Sequence, residues 1–272
     1  MPSPNLNSDT VTNLNPVAFW DFQNSALLSA GRLPALLREV NGPLERAHDG
    51  VFGPVSLRFD ADGFLARGHL AATADEAPQL NIGGPDAAVT IVAWVKRERS
   101  AYGGCQFVGG VWNEHGGRQY GLFLNIGIWG SREQICAHIS SHGGATPGYP
   151  YCMDAAVSAT PVSFDEWHCV AISYGDGEAR AYLDGVLDRR ESSNGYGCNP
   201  FIYAGGLHKG TADFTVGAVA RPATVVSDGQ GGFREEGALI ANPFVGLLGG
   251  LAVFDRVLSE GEIDLLGTIR NT

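Results

Sequence analysis

No apolar run in the 272 residues approaches the roughly 18 that a membrane-crossing helix requires, so nothing in the chain reads as a membrane span. Basic charge is scarce: 18 Lys and Arg stand against 29 Asp and Glu, a formal net charge of −11. A surface of that sign repels phosphate backbones, which argues against a nucleic-acid partner. Cysteine is sparse too. Cys105, Cys136, Cys152, Cys169 and Cys198 are odd in number and lack paired Cys-x-x-Cys spacing, so a zinc site is not indicated. Buried thiols are expected for most of them, and a Cys152–Cys198 bridge cannot be read from spacing. The chain also lacks a phosphate-cradling Gly-Lys-Ser or Gly-Lys-Thr loop and a dinucleotide fingerprint after a strand, so no cofactor is indicated. Met1 to Pro16 lack the basic and apolar regions of a signal peptide, which leaves a cytosolic protein or a mature secreted chain.

What is abundant is glycine. The 38 glycines are about twice the usual share of roughly 7%, and 14 prolines accompany them. Without a Gly-X-Y period this composition implies many turns. At 44% hydrophobic residues the chain can bury a sizeable core. Residues 1–14 are almost free of apolar side chains and predict a disordered leader. From 15 to 272 no composition break appears, so one domain is expected. Its middle is strand-like: β-prone segments at 89–96, 106–112, 119–126, 134–140, 168–174 and 179–183 alternate with turn signals. Asp176-Gly177 and Asp184-Gly185 are hairpin turns by composition. A short helix is conceivable around 33–40. Ser259–Ile269 predicts a helix outright, with Ser259 as N-cap, Glu262 three residues on, and Ile263, Leu266 and Ile269 at helical spacing. Many short strands without alternating helices predict an all-β, antiparallel β-sandwich with a short C-terminal helix.

The order of certain segments is specific. Trp20-Asp21-Phe22 opens the series, followed by Leu57-Arg58-Phe59-Asp60 and the run from Val89 to Lys96. Glu166-Trp167-His168-Cys169-Val170-Ala171, Ala181-Tyr182-Leu183-Asp184-Gly185 and Phe214-Thr215-Val216-Gly217 come next. A closing unit runs from Leu251 to Ser259 and on to Glu262-Ile263. Over about residues 17–270 this order resembles the laminin-G-like, pentraxin-type domains of the concanavalin A-like lectin/glucanase superfamily. The resemblance implies a jelly roll of two antiparallel sheets, one of them concave. It implies a glycan as partner, bound by a lectin-like module or attacked by a hydrolase or lyase, and fold alone does not choose among these. Many relatives carry an acidic pair where this chain has Gly249-Gly250, and related folds hold a structural calcium there. The usual acid is missing, while Asp21 and backbone carbonyls leave such an ion open, since calcium takes six to eight oxygens.

Residues 105–152 are not explained by that pattern. Trp112-Asn113-Glu114-His115-Gly116-Gly117-Arg118-Gln119-Tyr120 and the stretch from His138 to Cys152 concentrate donors, acceptors and aromatic faces. Strand alternation puts Ile135, Ala137 and Ile139 toward the core and Cys136 and His138 on the other face. The same rule places Leu122 and Leu124 inward, with Gln119, Phe123 and Asn125 outward. The two segments are expected to converge on one cleft at the concave face.

For a carbohydrate-binding cleft, Trp112, Tyr149 and Tyr151 would stack on sugar rings. Asn113, Arg118, Gln119 and His142 would bind hydroxyls or a carboxylate, for which the arginine fork is well suited. The alternative is a polysaccharide lyase acting on a uronate-containing glycan. It would use Asn113, Gln119 and Arg118 to neutralise the carboxyl, and His138, His142, Tyr149 or Tyr151 as base and acid. A glycoside hydrolase needs a pair of carboxyls, and the Glu-x-Asp-x-x-Glu strand pattern of the superfamily's glucanases is absent. Glu114, Glu133 and Asp154 are its local candidates, and nothing in the sequence pairs them. His115 and His168 read as structural or solvated.

Overall fold

The strand alternation is realised in a computed structural model of the chain, which describes residues 6–229 and 231–269. The six expected segments appear as Val89–Arg97, Gln106–Val111, Tyr120–Leu124, Ile135–Ile139, Trp167–Gly175 and Glu178–Leu183. They divide between two large antiparallel sheets. The nine-stranded sheet runs Val186–Leu187, Glu178–Leu183, Trp167–Gly175, Val89–Arg97, Gly246–Phe254, Ser56–Phe59, Glu45–Ala47, with Ala18–Trp20 and Phe201–Ile202 added at its sides. The seven-stranded sheet runs Ala155–Val157, Ile135–Ile139, Tyr120–Leu124, Gln106–Val111, Phe214–Val216, His69–Ala72, Arg38–Val40. A four-stranded sheet including Val219–Arg221 and Leu239–Ala241, and a ribbon of Thr224–Ser227 with Phe233–Glu236, lie beside them.

The hairpins form where Asp-Gly pairs permit two successive left-handed residues. Asp176 and Gly177 sit at φ 52 and 73, Asp184 and Gly185 at 51 and 88, the geometry of a type I′ turn.

Period-two alternation sends side chains into three layers. Ile91, Ala93 and Val95 join Leu122, Leu124 and Ile135 in the core between the large sheets. Val92, Trp94 and Ala171 emerge on the far side of the nine-stranded sheet, where Ile263 and Leu266 of the helix Glu260–Gly267 cover them. Phe107, Phe123 and Cys136 emerge on the outer side of the seven-stranded sheet. Each fully buried large apolar side chain contributes roughly 1.5–3 kcal/mol, so the outer layers are substantial parts of the fold.

The C-terminal helix begins as its sequence predicts. The Ser259 hydroxyl accepts from the Glu262 backbone N–H at 3.3 Å, and the Glu262 carboxylate accepts from the Ser259 N–H at 2.8 Å. Arg256 and Ser259 together hold the Glu262 carboxyl down at about 2.

Two expectations are corrected. Residues 6–13 of the expected disordered leader form a helix, Leu6–Asn13, and residues 1–5 lie outside the described residues. One valine suffices: Val11 is fully buried in the layer with Phe19 and Phe52, and the Asn7 amide donates to the Val51 carbonyl. Around 33–40 there is no helix but the strand Arg38–Val40, paired with His69–Ala72. Pro34 lacks a backbone donor, and the Trp20 indole takes up the Leu27 and Ala35 carbonyls.

All five cysteines are free thiols, with Cys136, Cys152 and Cys169 buried, so the Cys152–Cys198 bridge does not form. The Gly249-Gly250 departure has a steric cause. A Cβ on Gly250 would stand 2.5 Å from the Phe52 ring, and one on Gly249 3.1 Å from the Trp167 ring. The Asp21 carboxylate is engaged by Gln23 N–H and the Ser8 hydroxyl. Among the described residues no cluster of three or more His, Cys, Asp or Glu could hold a metal.

Candidate functional site

A β-bulge builds the floor of the site. Between Gln106–Val111 and Tyr120–Leu124 the register shifts, so that Leu122 pairs with Gly109 but Phe123 with Phe107. The skipped residue, Val108, turns into the central core, and Phe107 and Phe123 stay together outside with ring centroids 4.9 Å apart. On the next rung Gly121 stands between Gly110 and His138. Its bare backbone is required, since a Cβ there would lie 2.7 Å from the Phe123 ring. Trp112 therefore packs over the sheet against both Phe123, at 5.4 Å, and His138, at 5.3 Å.

The rim comes from a turn and from strands far along the chain. Residues 113–117 close on themselves through Gly117 N–H to the Asn113 carbonyl. Glu114 N–H then donates to the Ala220 carbonyl at 2.9 Å, which docks the turn on the four-stranded sheet. That contact brings Arg221 beside Asn242, whose amide oxygen accepts from the guanidinium at 3.2 Å. The Asn242 amide in turn donates to Glu114 at 3.3 Å. Arg118 Nη2 stands 3.9 Å from Glu114 Oε2 and 3.8 Å from Glu235 Oε1. Glu235 belongs to the exposed ribbon and also lies 3.5 Å from His115 Nδ1.

These groups enclose a pocket of about 200 Å³. Trp112, Phe123, Ile126 and Ile128 form apolar walls, and Tyr151, 43% exposed, stands at the mouth. Glu114, Arg118, His138, Arg221 and Asn242 supply the polar surface. Arg118 is only 2% exposed, yet among the described residues its guanidinium makes no hydrogen bond to the protein, because both carboxylates stand beyond that range.

Burial governs the protonation states. His138, 3% exposed, is pushed down to about 3, mainly by burial and also by the nearby Arg118 charge, against a hydrogen bond to the Asp154 backbone. It is neutral at ordinary pH, and its buried Nδ1 has no hydrogen-bond partner among the described residues. The Glu114 carboxyl is pushed up by burial although Arg118 and Arg221 oppose the shift. Burial raises the Cys152 thiol to about 12, so it is neither nucleophile nor ligand at neutral pH.

Of the residues singled out from the sequence, Trp112, Glu114, Arg118, His138 and Tyr151 line this pocket. Trp112 is a wall rather than an open stacking platform: it is 3% exposed, with its ring packed on Phe123 and His138. Asn113, Gln119, Tyr149 and His142 do not line it. Asn113 accepts His115 N–H at 2.9 Å and serves the turn. The Gln119 amide donates to Asn81 at 2.9 Å. Tyr149 packs edge-on against Trp129 at 6.1 Å. His142 is exposed, with Nε2 3.0 Å from the Ala145 carbonyl. Asn125, expected on the open face, holds the Gly103 and Gly104 carbonyls.

His168 bridges two segments: Nδ1 lies 2.8 Å from Asp184 and Nε2 2.7 Å from Ser163, whose hydroxyl also meets Glu166. Nothing in the residue pattern pointed to Arg221, Glu235 or Asn242. They lie about a hundred residues downstream and join the site only through the docked turn.

A family model described as the concanavalin A-like lectin/glucanases superfamily matches residues 71–223. No curated protein matches the sequence. Among solved structures, domain 4 of AbnA, a GH43 extracellular arabinanase from Geobacillus stearothermophilus, in complex with arabinotriose, is similar with a TM-score of 0.55. It is 14% identical, over 93% of this chain and 98% of that one. Botulinum neurotoxin type C, described as interacting with two ganglioside molecules, is similar with a TM-score of 0.57 at 10% identity, over 94% of this chain and 51% of that one. The binding domain of the serotype G neurotoxin gives 0.57 at 10%, over 93% and 50%. The chain thus spans about half the length of the toxin chains it matches. At such identities the likeness is one of fold.

Proposed function

Because this chain belongs to the concanavalin A-like lectin/glucanases superfamily, we propose that the pocket on the outer face of its seven-stranded sheet binds a glycan and seats one sugar residue. The observation that carries this reading is Arg118, a guanidinium 2% exposed that lines an apolar-walled pocket without a hydrogen bond to the protein among the described residues. A buried donor group of that kind is costly unless water or a ligand satisfies it. Sugar hydroxyls both donate and accept, which matches an arginine beside a carboxylate, a side-chain amide and a neutral imidazole. Tyr151 at the mouth offers an aromatic face to the C–H side of a ring. The volume is below the roughly 300–1,000 Å³ of drug-sized sites, which suits a single residue at a chain end or branch. The related folds solved with arabinotriose or described with gangliosides support a carbohydrate as ligand.

Binding is preferred to elimination for a chemical reason. A general base works best with a pKa near the operating pH. His138 is held near 3, and His142 lies outside the pocket.

A glycan array followed by calorimetric titration tests the proposal. Tyr151→Ala, at an exposed position, should weaken the selected glycan about tenfold, or ~1.4 kcal/mol, without altering stability. Arg118→Lys keeps the charge but loses the fork and should weaken it at least as much. Release of unsaturated uronate from any polymer by the wild-type protein would replace binding with lyase chemistry. Unchanged affinity in both folded variants would place the ligand elsewhere.

A further inference from the structure

The pocket's charges are matched. Arg118 and Arg221 face Glu114 and Glu235, and His138 is neutral. Both carboxylates approach the same guanidinium nitrogen of Arg118, at 3.9 and 3.8 Å. Both stand near that nitrogen, neither close enough to hydrogen-bond it. The remaining polar surface is rich in acceptors. Glu114 Oε2 makes no hydrogen bond to the protein among the described residues, and His138 Nδ1 is a buried acceptor without a donor.

From this we infer that the site selects an uncharged sugar, with neighbouring hydroxyls bridging Arg118 and Glu114, and that Glu235 excludes sugars bearing a carboxylate. The inference rests on the glycan-binding reading above and adds the chemical class of the sugar. Each hydroxyl accepts from the arginine and donates to a carboxylate, so both halves of the pocket are satisfied at once. A uronate or other acidic sugar would satisfy the arginine alone. Its carboxylate has no proton to offer Glu114, and it would add a third negative charge beside two. Glu114 already resists ionisation there, because burial and the Glu235 charge both push its carboxyl up. Glu235 is suited to act as the gatekeeper. It reaches the rim from an exposed ribbon strand, Phe233–Glu236, so its charge can be removed without disturbing the core.

The test is competition between matched pairs differing only at C6. Methyl glucoside is paired with methyl glucuronide, methyl galactoside with methyl galacturonide, and methyl mannoside with methyl mannuronide. Affinity is read by ligand-observed NMR on the full chain, for the wild type and for Glu235→Gln. For the pair that binds, the neutral member should bind at least tenfold tighter, and Glu235→Gln should cut that preference at least fivefold while folding stability stays unchanged. A uronate that binds as well as its neutral partner overturns the inference and leaves glycan binding standing. A preference unaltered in the folded Glu235→Gln protein overturns the role of Glu235. Absence of binding by every member of every pair, with the protein folded, defeats the glycan-binding reading and this inference with it.

Discussion

A single buried imidazole makes stability depend on pH. His138 remains neutral in the folded chain down to about 3, whereas in the unfolded chain it titrates at the ordinary 6.5. Below 6.5 the unfolded chain takes up a proton that the folded chain refuses, so this contribution is present above 6.5 and is lost as the pH falls. Between pH 7 and pH 5 the expected loss is about 2 kcal/mol. His69, also lowered by burial, has the same sign, while the raised carboxyls of Glu114 and Asp154 have the opposite one. A comparison with His138→Gln isolates the term: in urea unfolding the variant should lose about 2 kcal/mol less than the wild type over that interval. Equal losses would mean that His138 is reached by protons in the native state.

Among the elements, the C-terminal helix and the bulged strand Gly246–Phe254 depend on single positions. Ser259→Ala removes a hydroxyl that caps the first turn and half of its capping box, at an expected cost of 0.5–2 kcal/mol, typically about 1. The helix covers Trp94 and Phe254 on the outer side of the nine-stranded sheet, so the loss should appear in the global melting temperature and not only as local fraying. Gly250→Ala places a methyl 2.5 Å from the Phe52 ring and should cost roughly 1–3 kcal/mol by overpacking. Circular dichroism melts of the two variants measure both effects. An unperturbed Gly250→Ala protein would show that Phe52 is free to move.

At the scale of the molecule, three apolar layers alternate with two sheets, and the tryptophans sample them separately. Trp20 lies in the central core, Trp94 and Trp167 in the layer outside the nine-stranded sheet, and Trp112 beneath the pocket, while Trp129 stands outside these layers and stacks on Tyr196. Because each strand of the large sheets donates alternate residues to two layers, no layer can melt without disturbing its neighbour. We expect residues 15–272 to unfold as one cooperative unit, with tryptophan fluorescence and far-ultraviolet circular dichroism giving the same urea midpoint. Separated midpoints would divide the chain into independent parts.

The sequence by itself determined the sandwich, because alternation, Asp-Gly turns and the Ser259 cap are written in residues close together. It also determined the outward face of His138, since a strand's period of two leaves no other choice once Ile135, Ala137 and Ile139 are inward. Leu6–Asn13 was illegible, since one buried valine does not make a periodic pattern. The site was legible only in its first half. Trp112, Glu114, Arg118, His138 and Tyr151 stood out by composition, but so did Asn113, Gln119, Tyr149 and His142, which the structure turns to turns, loops and backbone contacts. Local composition cannot separate the two groups, because which side of a rim a loop residue faces depends on what docks against it. Only the tertiary structure decided that Arg221 and Asn242 line the pocket and that Glu235 stands beside Arg118. The cause is a backbone contact, Glu114 N–H to the Ala220 carbonyl, that joins segments a hundred residues apart.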